Sequence, residues 1–357
     1  MPAPLLSYPY PNTFSHIWSM SVKDLPMCRR LWLGLFAAFT LLFSVPQITY
    51  TQTLTPDTVI HQRLPFFHPA PKPHPVRIVA LSSSIAVSYT AAMIGLNKVW
   101  YAQYPRGTFH FFDDNGEWNQ IDKVGHAWTA YSESLYAIGL YRWAGVSGKK
   151  AAWIGGSCGF VFQMGIEVLD GFSEKWGASV GDIIANTAGS ALAVSQELLW
   201  QEQRVRLKFS SSKVDYRRFP HEVQQRVNQL YGTSFQEKLL KDYNGQSYWL
   251  SFSPLLFFPN RETRFPKWLN LAIGYGAEGM LGGFENKWTD DEGNNQDFTH
   301  LPRQRQYFLS ADINLSQIKT RSKLLNTFLN AVNVLKIPAP AFSINHSGKL
   351  KGYWLYW

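Results

Sequence analysis

The pattern of apolar and polar positions divides the chain into a helical half and a strand half. Four long apolar runs, rich in small residues, lie at about residues 76–103, 122–144, 149–170 and 180–203, and their polar positions recur with helical spacing. Small residues repeat every fourth position in the last two runs, as at Gly155 and Gly159, which lets helix backbones approach closely. The pattern therefore predicts a bundle of four helices.

From about residue 245 the pattern changes to strict alternation. Apolar side chains occupy every second position in residues 269–277 and 307–316, as in strands with one apolar face. We expect further strands and one amphipathic helix, and about five strands are too few for a closed outer-membrane barrel, which needs at least eight. The predicted class is α+β: a four-helix apolar bundle followed by a mostly antiparallel β region. The additional strands are predicted at 247–258, 339–345 and 350–357, and the helix at 323–337.

The N-terminal region has the layout of a secretory signal. Arg29 and Arg30 precede an apolar stretch from Leu31 to Val45, and a Pro-Gln pair follows it. The stretch is about 15 residues long, short of the roughly 20 that cross a bilayer, so we expect cleavage rather than anchoring. The expected organisation is an extension and signal sequence (1–50), a proline-rich linker (51–75), a helical bundle with a polar site (76–205), a basic connector and helix (206–240) and a β-rich region (241–357).

Composition and charge favour an envelope location. Charged residues make up 17% of the chain, below the usual quarter, and its 14 Trp and 17 Tyr suit contact with lipid headgroups. The formal charge of +9 suits nucleic acid, anionic lipid or phosphorylated glycan, but without a nucleic-acid motif we expect no nucleic-acid partner. If all four helices crossed the inner membrane, Lys149, Lys150 and residues 204–218 would lie outside, against the positive-inside rule. We therefore expect the periplasm or the outer membrane, with the inner membrane as the alternative.

Residues 204–218 concentrate basic side chains against the single acid Asp215. They are either a solvated connector or a contact to lipid phosphates, where each basic group contributes about 1 kcal/mol. Cys28 and Cys158 are the only cysteines, which excludes a disulfide framework. The candidate binding residues in this stretch are Arg204, Arg206 and Lys208.

Polar residues form one stripe on each of three predicted helices. Steps of three, four or seven residues place the members of a stripe on the same helix face. Because a buried carboxylate must protonate, pair or bind a cation, we expect the stripes to face one another around an internal site. The stripes are Asp122, His126 and Glu133; Gln163, Glu167 and Asp170; and Asp182, Asn186 and Ser190.

Three interpretations of this site remain open. It is a structural network, with Asp122 as a helix cap, Ser179 and Asp182 as a capping box, and His126 as a hydrogen-bonded core histidine. Alternatively, it binds a lipid or glycan headgroup through Lys123, Gln163 and Asn186 together with the basic stretch, in a non-enzymatic envelope component. In the third interpretation it is a metal-assisted hydrolase of such molecules. The ligands of its divalent metal would be Asp122, His126, Glu167 and Asp182, with Asp170 or Glu133 as proton carrier.

The motifs of the site also resemble known families. DKxxH at 122–126, ExxDGF at 167–172, WGxSxGDxxANxxG at 176–189 and KDYNGQSYWLS at 241–251 resemble a family of predicted periplasmic lipoproteins of unknown function, YfiM-like, in its longer Bacteroidetes form. This resemblance covers about 76–357 and implies an envelope location without an activity. Cys28 precedes the apolar stretch, so it is not the lipobox cysteine that the lipoprotein description presumes.

Residues 120–200 are also similar to VanZ-like membrane proteins. That resemblance implies a role tied to glycopeptide or surface-glycan exposure, although VanZ-like proteins lack the C-terminal sheet. The matching residues are Asp122, Lys123, His126, Glu167, Asp182, Asn186 and Gly189.

Overall fold

A computed structural model describes residues 65–102, 104–257 and 266–357. The predicted N-terminal extension and signal sequence, and the linker up to residue 64, lie outside the described residues. The described part confirms the predicted α+β class, with helices in the first half and an antiparallel sheet after them.

The helical half consists of α1 (Pro75–Leu96), α2 (Ile121–Trp143), α3 (Gly148–Gly171) and α4 (Val180–Leu199). A π-helical turn, Asn97–Tyr101, extends α1. The ring of His74 caps α1 by accepting a hydrogen bond from the Arg77 amide, and Ser179 caps α4 by accepting one from the Asp182 amide. Both caps satisfy backbone donors that a helix start otherwise leaves unpaired.

Glycines bring α2 into backbone contact with both of its neighbours in the bundle. A side chain at Gly159 of α3 would overlap the carbonyl oxygen of Ala130, and one at Gly189 of α4 would overlap that of Ala127. These close approaches explain the small residues that recur at every fourth position in the sequence. They make α2 the central helix, held between α3 and α4.

The second half contains a six-stranded antiparallel sheet in the order β1-β2-β3-β6-β7-β8, counted within the described residues. Three helices and a small hairpin, β4 with β5, lie in the connections. The elements in chain order are β1 (Val205–Ser211), α5 (His221–Tyr231), α6 (Phe235–Lys241), β2 (Gln246–Phe252), β3 (Leu269–Glu278), β4 (Lys287–Thr289), β5 (Asn295–Asp297), β6 (Gln304–Ile313), α7 (Lys323–Val332), β7 (Ala339–Asn345) and β8 (Leu350–Tyr356).

The first strand lies where the sequence suggested a basic connector. Leu207 and Phe209 alternate with Arg206 and Lys208, and this period of two places the apolar pair against the bundle. Arg206 and Lys208 lie on the opposite face of the strand, where Lys208 is completely buried. Because a lysine occupies an interior position, the sequence pattern of this segment does not resemble the alternation of a strand.

One face of the sheet packs on α2. Phe209, Tyr248 and Tyr275 form a cross-strand row on β1, β2 and β3, and Trp128 of α2 packs against the first two. The indole of Trp128 also donates to the carbonyl oxygen of Val334, which lies just after α7. The bundle and the sheet therefore share a core, and α2 lies between the sheet and the other helices.

Candidate functional site

A cluster of ionisable side chains lies where the starts of α2 and α4 meet the end of α3. We call it the polar cluster. The cap at Ser179 fixes its geometry: the Ser179 amide donates to Glu167 Oε2 (2.9 Å) and its hydroxyl donates to Asp114 Oδ1 (2.5 Å). The structure thus brings residues from all three predicted stripes together with a loop aspartate. The members of the cluster are Asp114, Asp122, Lys123, His126, Glu167, Asp170, Asp182 and Asn186.

Lys123 is the lysine at the centre of the cluster. Its Nζ lies 2.5 Å from Asp114 Oδ2, 2.9 Å from Asp182 and 3.4 Å from Asp122 Oδ2. Burial alone would lower the pKa of Lys123, but the charge of Asp122, the hydrogen bond to Asp114 and the contact with Asp182 together raise it. Lys123 therefore remains an ammonium ion and neutralises part of the acidic charge.

The imidazole of His126 is held from both sides. Its Nδ1 lies 3.2 Å from Asn186 Oδ1 and 3.8 Å from Glu167 Oε1, and its Nε2 lies 3.8 Å from Asp182 Oδ1. Because the amide oxygen of Asn186 can only accept, Nδ1 carries a proton and Nε2 faces Asp182. Burial alone would lower the pKa of His126, but the charges of Asp122, Asp182 and Glu167 raise it.

One ligand atom from each of Asp122, His126 and Asp182 lies within 4.8 Å of the other two. Two carboxylates and an imidazole at this spacing fit a single divalent cation. Glu167, the fourth predicted ligand, lies beside the opposite ring nitrogen of His126. Its Oε1 is buried and has no hydrogen-bond partner among the described residues. The structure therefore separates the predicted ligand set into a group of three and a neighbouring carboxylate.

Burial is the main influence on the pKa values of the acids on α3 and α4. It raises the pKa of Glu167 to about 7, although the Ser179 amide and His126 act in the opposite direction. It also raises the pKa values of Asp170 and Asp182 to about 6. Burial alone would also raise the pKa of Asp122. The charges of His126 and Lys123 and a hydrogen bond from Tyr243 outweigh this effect and lower the pKa.

The two candidate proton carriers occupy different surroundings. Asp170 accepts a hydrogen bond from Tyr101 (2.8 Å), which the π turn after α1 positions. Glu133 instead accepts one from Gln163 (3.0 Å), and burial raises the pKa of Glu133 to about 7. Gln163 and Glu133 thus pair with each other, two turns along α2 from His126, while Asp170 lies at the cluster.

The predicted basic residues lie away from the cluster. Lys208 is an interior residue of the sheet, 2.8 Å from Asp312, and both side chains are fully buried. It therefore cannot reach a lipid phosphate, and that interpretation of Lys208 is wrong. Arg206 donates to Ser316 and Arg204 to Glu202.

Two contributors to the site were not identified from the sequence. Asp114 lies in the loop before α2, where no periodicity marks it. Tyr243 donates to Asp122 Oδ1 (2.8 Å) across 121 positions of chain, and it lies in the motif KDYNGQSYWLS. A hydroxyl donor to a carboxylate carries no sequence signal of its own, so only the motif could have indicated Tyr243.

The fold and the cluster define an α+β protein with an acidic site inside a helical bundle. A family model described as predicted periplasmic lipoprotein (DUF2279) matches residues 110–197. The match begins before Asp114 and ends within α4, so it includes every residue of the polar cluster. It supports an exported cell-envelope protein of an uncharacterised periplasmic family. No curated protein and no solved structure matches the chain significantly.

Proposed function

We propose that this exported envelope protein binds a divalent metal ion at Asp122, His126 and Asp182 and uses it to bind the phosphate of an envelope lipid or glycan. The observation that carries the proposal is the convergence of these three ligand atoms within 4.8 Å. The similarity of residues 120–200 to VanZ-like proteins favours a surface glycan as the source of the phosphate.

The charge of the cluster supports a cation. The carboxylates of Asp114, Asp122, Glu167, Asp170 and Asp182 surround Lys123 and His126, so acids exceed bases. Buried carboxylates without a counter-charge are costly, and binding of a cation removes that cost.

The histidine has the orientation that metal-binding histidines require. One ring nitrogen is engaged by Asn186 Oδ1, which fixes the proton on Nδ1 and directs the lone pair of Nε2 toward Asp182. Asn186 is completely buried, so this arrangement has little freedom to change. Asn186 therefore acts on the ion through His126 rather than as a ligand.

The ligands are not sealed from the surface. The side chain of Asp122 is 26% exposed and that of His126 17%, whereas that of Asp182 is 6% exposed. An ion held by three protein ligands keeps coordination positions for other groups. On the exposed side these positions can take phosphate oxygens or water.

Hydrolysis of the bound headgroup is a second candidate, and the position of Asp170 favours it. Burial raises the pKa of Asp170 to about 6, close to the value suited to proton transfer near neutral pH. A metal ion lowers the pKa of its bound water, and a neighbouring carboxylate can accept that proton. Release of inorganic phosphate or of a free alcohol from envelope lipids would separate this activity from binding alone.

Metal analysis of the purified protein tests the first proposal. We expect near-stoichiometric metal after dialysis against Mg²⁺, Mn²⁺, Ca²⁺ or Zn²⁺, and its loss in His126→Ala and Asp182→Asn. Glu133→Gln is the matched control, since Glu133 is a half-buried acid of the same helix outside the ligand group. A wild-type protein that binds none of the four ions, or variants that retain the metal, would contradict the proposal.

A further inference from the structure

The exposed side of α1 carries no charged residue, and the structure describes this helix throughout. Its exposed positions recur at helical spacing and include Val76, Val79, Val87 and Ile94, each more than half exposed. The other exposed positions between Val76 and Ile94 are occupied by serine, alanine and threonine. An ordinary surface helix has charged residues on the face opposite to its core, so this face is suited to an apolar environment.

Two further helices have the same property. Beyond Lys150, the exposed positions of α3 are apolar or small, among them Trp153, Ile154 and Val161. The acids of α4, Asp182 and Glu197, are buried, while its exposed positions include valine, isoleucine and leucine. We call the exposed sides of α1, α3 and α4 together the uncharged helix surface.

A groove between α1 and α3 opens on this surface. It has a volume of about 320 Å³ and is lined by Tyr89 and Met93 of α1 and by Val161, Met164 and Leu169 of α3. Tyr89 also stacks on Phe162 with ring centroids 4.7 Å apart. The lining is apolar, and an acyl chain is the ligand that such a groove suits.

From this surface we infer that the protein docks on a bilayer, with α1, α3 and α4 lying in the plane of one leaflet. The inference goes beyond the proposed metal site and rests on different residues. Exposed phenylalanines of the loop before α2 and of the end of α3 lie near the polar cluster, so the surface extends close to that site. These residues are Phe109, Phe111, Phe112 and Phe172.

Basic side chains at both ends of the surface complement anionic lipid phosphates. Lys72, Lys149 and Lys150 are exposed at the end where α1 and α3 begin. A second group of exposed basic residues lies at the other end of the surface, together with the acid Glu174. Each basic group near an anionic leaflet strengthens binding, so these residues fit the rim of a docked surface. The second group consists of Lys98, Arg106 and Lys175.

The position of the sheet favours docking in the plane over crossing. By length and composition alone, α1 and α3 could each cross a membrane. The sheet, however, packs along α2 from Gly125 to Tyr131, and α7 contacts Tyr136, so a crossing bundle would carry the C-terminal half into the hydrocarbon. Among the described residues the edge strand β8 has a partner on one side only, and open sheet edges are not tolerated in hydrocarbon. Docking in the plane leaves the sheet in water.

Spin labels along α1 test this orientation. Nitroxides at Val79→Cys, Val87→Cys and Ile94→Cys, in a chain with Cys28 and Cys158 replaced by serine, would be measured on vesicles of phosphatidylcholine and phosphatidylglycerol. We expect equal depths, about 5–10 Å below the phosphates. A crossing helix would separate residues 79 and 94 by about 22 Å along its axis, so a graded depth would overturn the inference, as would labels that remain in water. Attachment through residues 31–45 alone would leave the labels in water.

Paired substitutions test the surface itself. We expect Val87→Glu combined with Val161→Glu to lower the vesicle partition coefficient by about tenfold or more, since charge is excluded from hydrocarbon. The matched control is Leu350→Glu combined with Leu355→Glu, at two exposed apolar residues of β8. Equal losses in both proteins, or no loss in the first, would contradict docking through the helices.

Discussion

The bundle and the sheet each bury a group of charged side chains, and the two groups are built in opposite ways. In the sheet, Asp312 lies 2.8 Å from Lys208 and 4.0 Å from Lys336, and all three side chains are fully buried. Ser251 donates to Asp312, while each lysine also donates to backbone carbonyl oxygens. Burial lowers the pKa of Lys336 to about 8, so its ammonium form depends on these acceptors.

In the bundle the acids are in excess, and Glu167 and Asp182 each have a buried carboxylate oxygen without a hydrogen bond among the described residues. Glu167 Oε1 has no hydrogen-bond partner in the described part of the chain, and the cluster reaches the surface through Asp122 and His126. A paired and sealed group stabilises one conformation, whereas an unpaired and partly open group is suited to a ligand. This difference is the reason that we place the proposed site in the bundle rather than in the sheet.

The largest expected effect comes from breaking the sheet group. Asp312→Asn leaves Lys208 and Lys336 buried without their counter-charge, which should lower the free energy of unfolding by about 3–5 kcal/mol. The matched change in the bundle, Asp182→Asn, removes one acid from an acidic excess. In metal-free protein it should cost less than Asp312→Asn, because Lys123 keeps Asp114 and Asp122 as counter-charges. Urea denaturation of both variants provides the measurement, and equal losses would abolish the distinction between the groups.

The second effect is the pH dependence of metal-free protein. The pKa of Glu167 is about 7 in the folded state against 4.5 ordinarily, so the folded protein binds more protons between these values. Stability from this group is therefore present below pH 4.5 and is lost as the pH rises toward 7, by about 3 kcal/mol. The raised pKa values of His126 and Asp182 act in the same direction.

Denaturation at intervals from pH 5 to pH 8 measures this dependence. Glu167→Gln should flatten the profile, and Glu237→Gln serves as a control on an acid outside the cluster whose pKa is lowered. A wild-type stability that rises over this interval would show that the cluster does not hold its acids in the protonated form.

The third effect is stabilisation by metal. At pH 7.5, a divalent ion at 100 times its dissociation constant should raise the free energy of unfolding by about 2.7 kcal/mol. Thermal unfolding with and without the ion should show the shift in wild-type protein and in Asp312→Asn, but not in His126→Ala. An equal shift in His126→Ala would place the ion elsewhere.

The smallest effect concerns the link between the two halves. Tyr243→Phe removes the hydroxyl that donates to Asp122 and should lower the free energy of unfolding by about 1 kcal/mol. It should also weaken metal binding, because Asp122 loses the group that orients it. Tyr216→Phe, which removes a hydroxyl donor to Asp242 instead, is a control expected to leave metal binding unchanged. Calorimetric titration of both variants distinguishes the two roles.

The sequence predicts the helices and most strands because their burial is periodic. It predicts less well where a polar residue occupies an interior position: Lys208 made β1 resemble a connector, although its partner Asp312 lies on β6. The strands β4 and β5 are only three residues long, and Trp288 is their single apolar residue, so alternation does not reveal them. The partner of Lys208 lies more than 100 positions away in the sequence, and the pattern of a single strand contains no information about it.

For the site, the high cost of a buried carboxylate was sufficient to predict that polar stripes meet. It could not assign their partners. Glu133 shares a stripe with His126 yet pairs with Gln163, because helix crossing determines which turns face one another. Asp114 enters through a loop whose path depends on backbone hydrogen bonds to the end of α3 and the start of α4.

The hydrogen bond from Tyr243 to Asp122 can form only late in the synthesis of the chain. Residue 243 leaves the ribosome 121 positions after residue 122, when all of α2, α3 and α4 have already been made. A newly made bundle therefore holds Asp122 without its hydroxyl donor until the segment before β2 arrives. Completion of the proposed metal site therefore depends on the C-terminal half, and a chain truncated before residue 243 would lack the hydroxyl donor to Asp122.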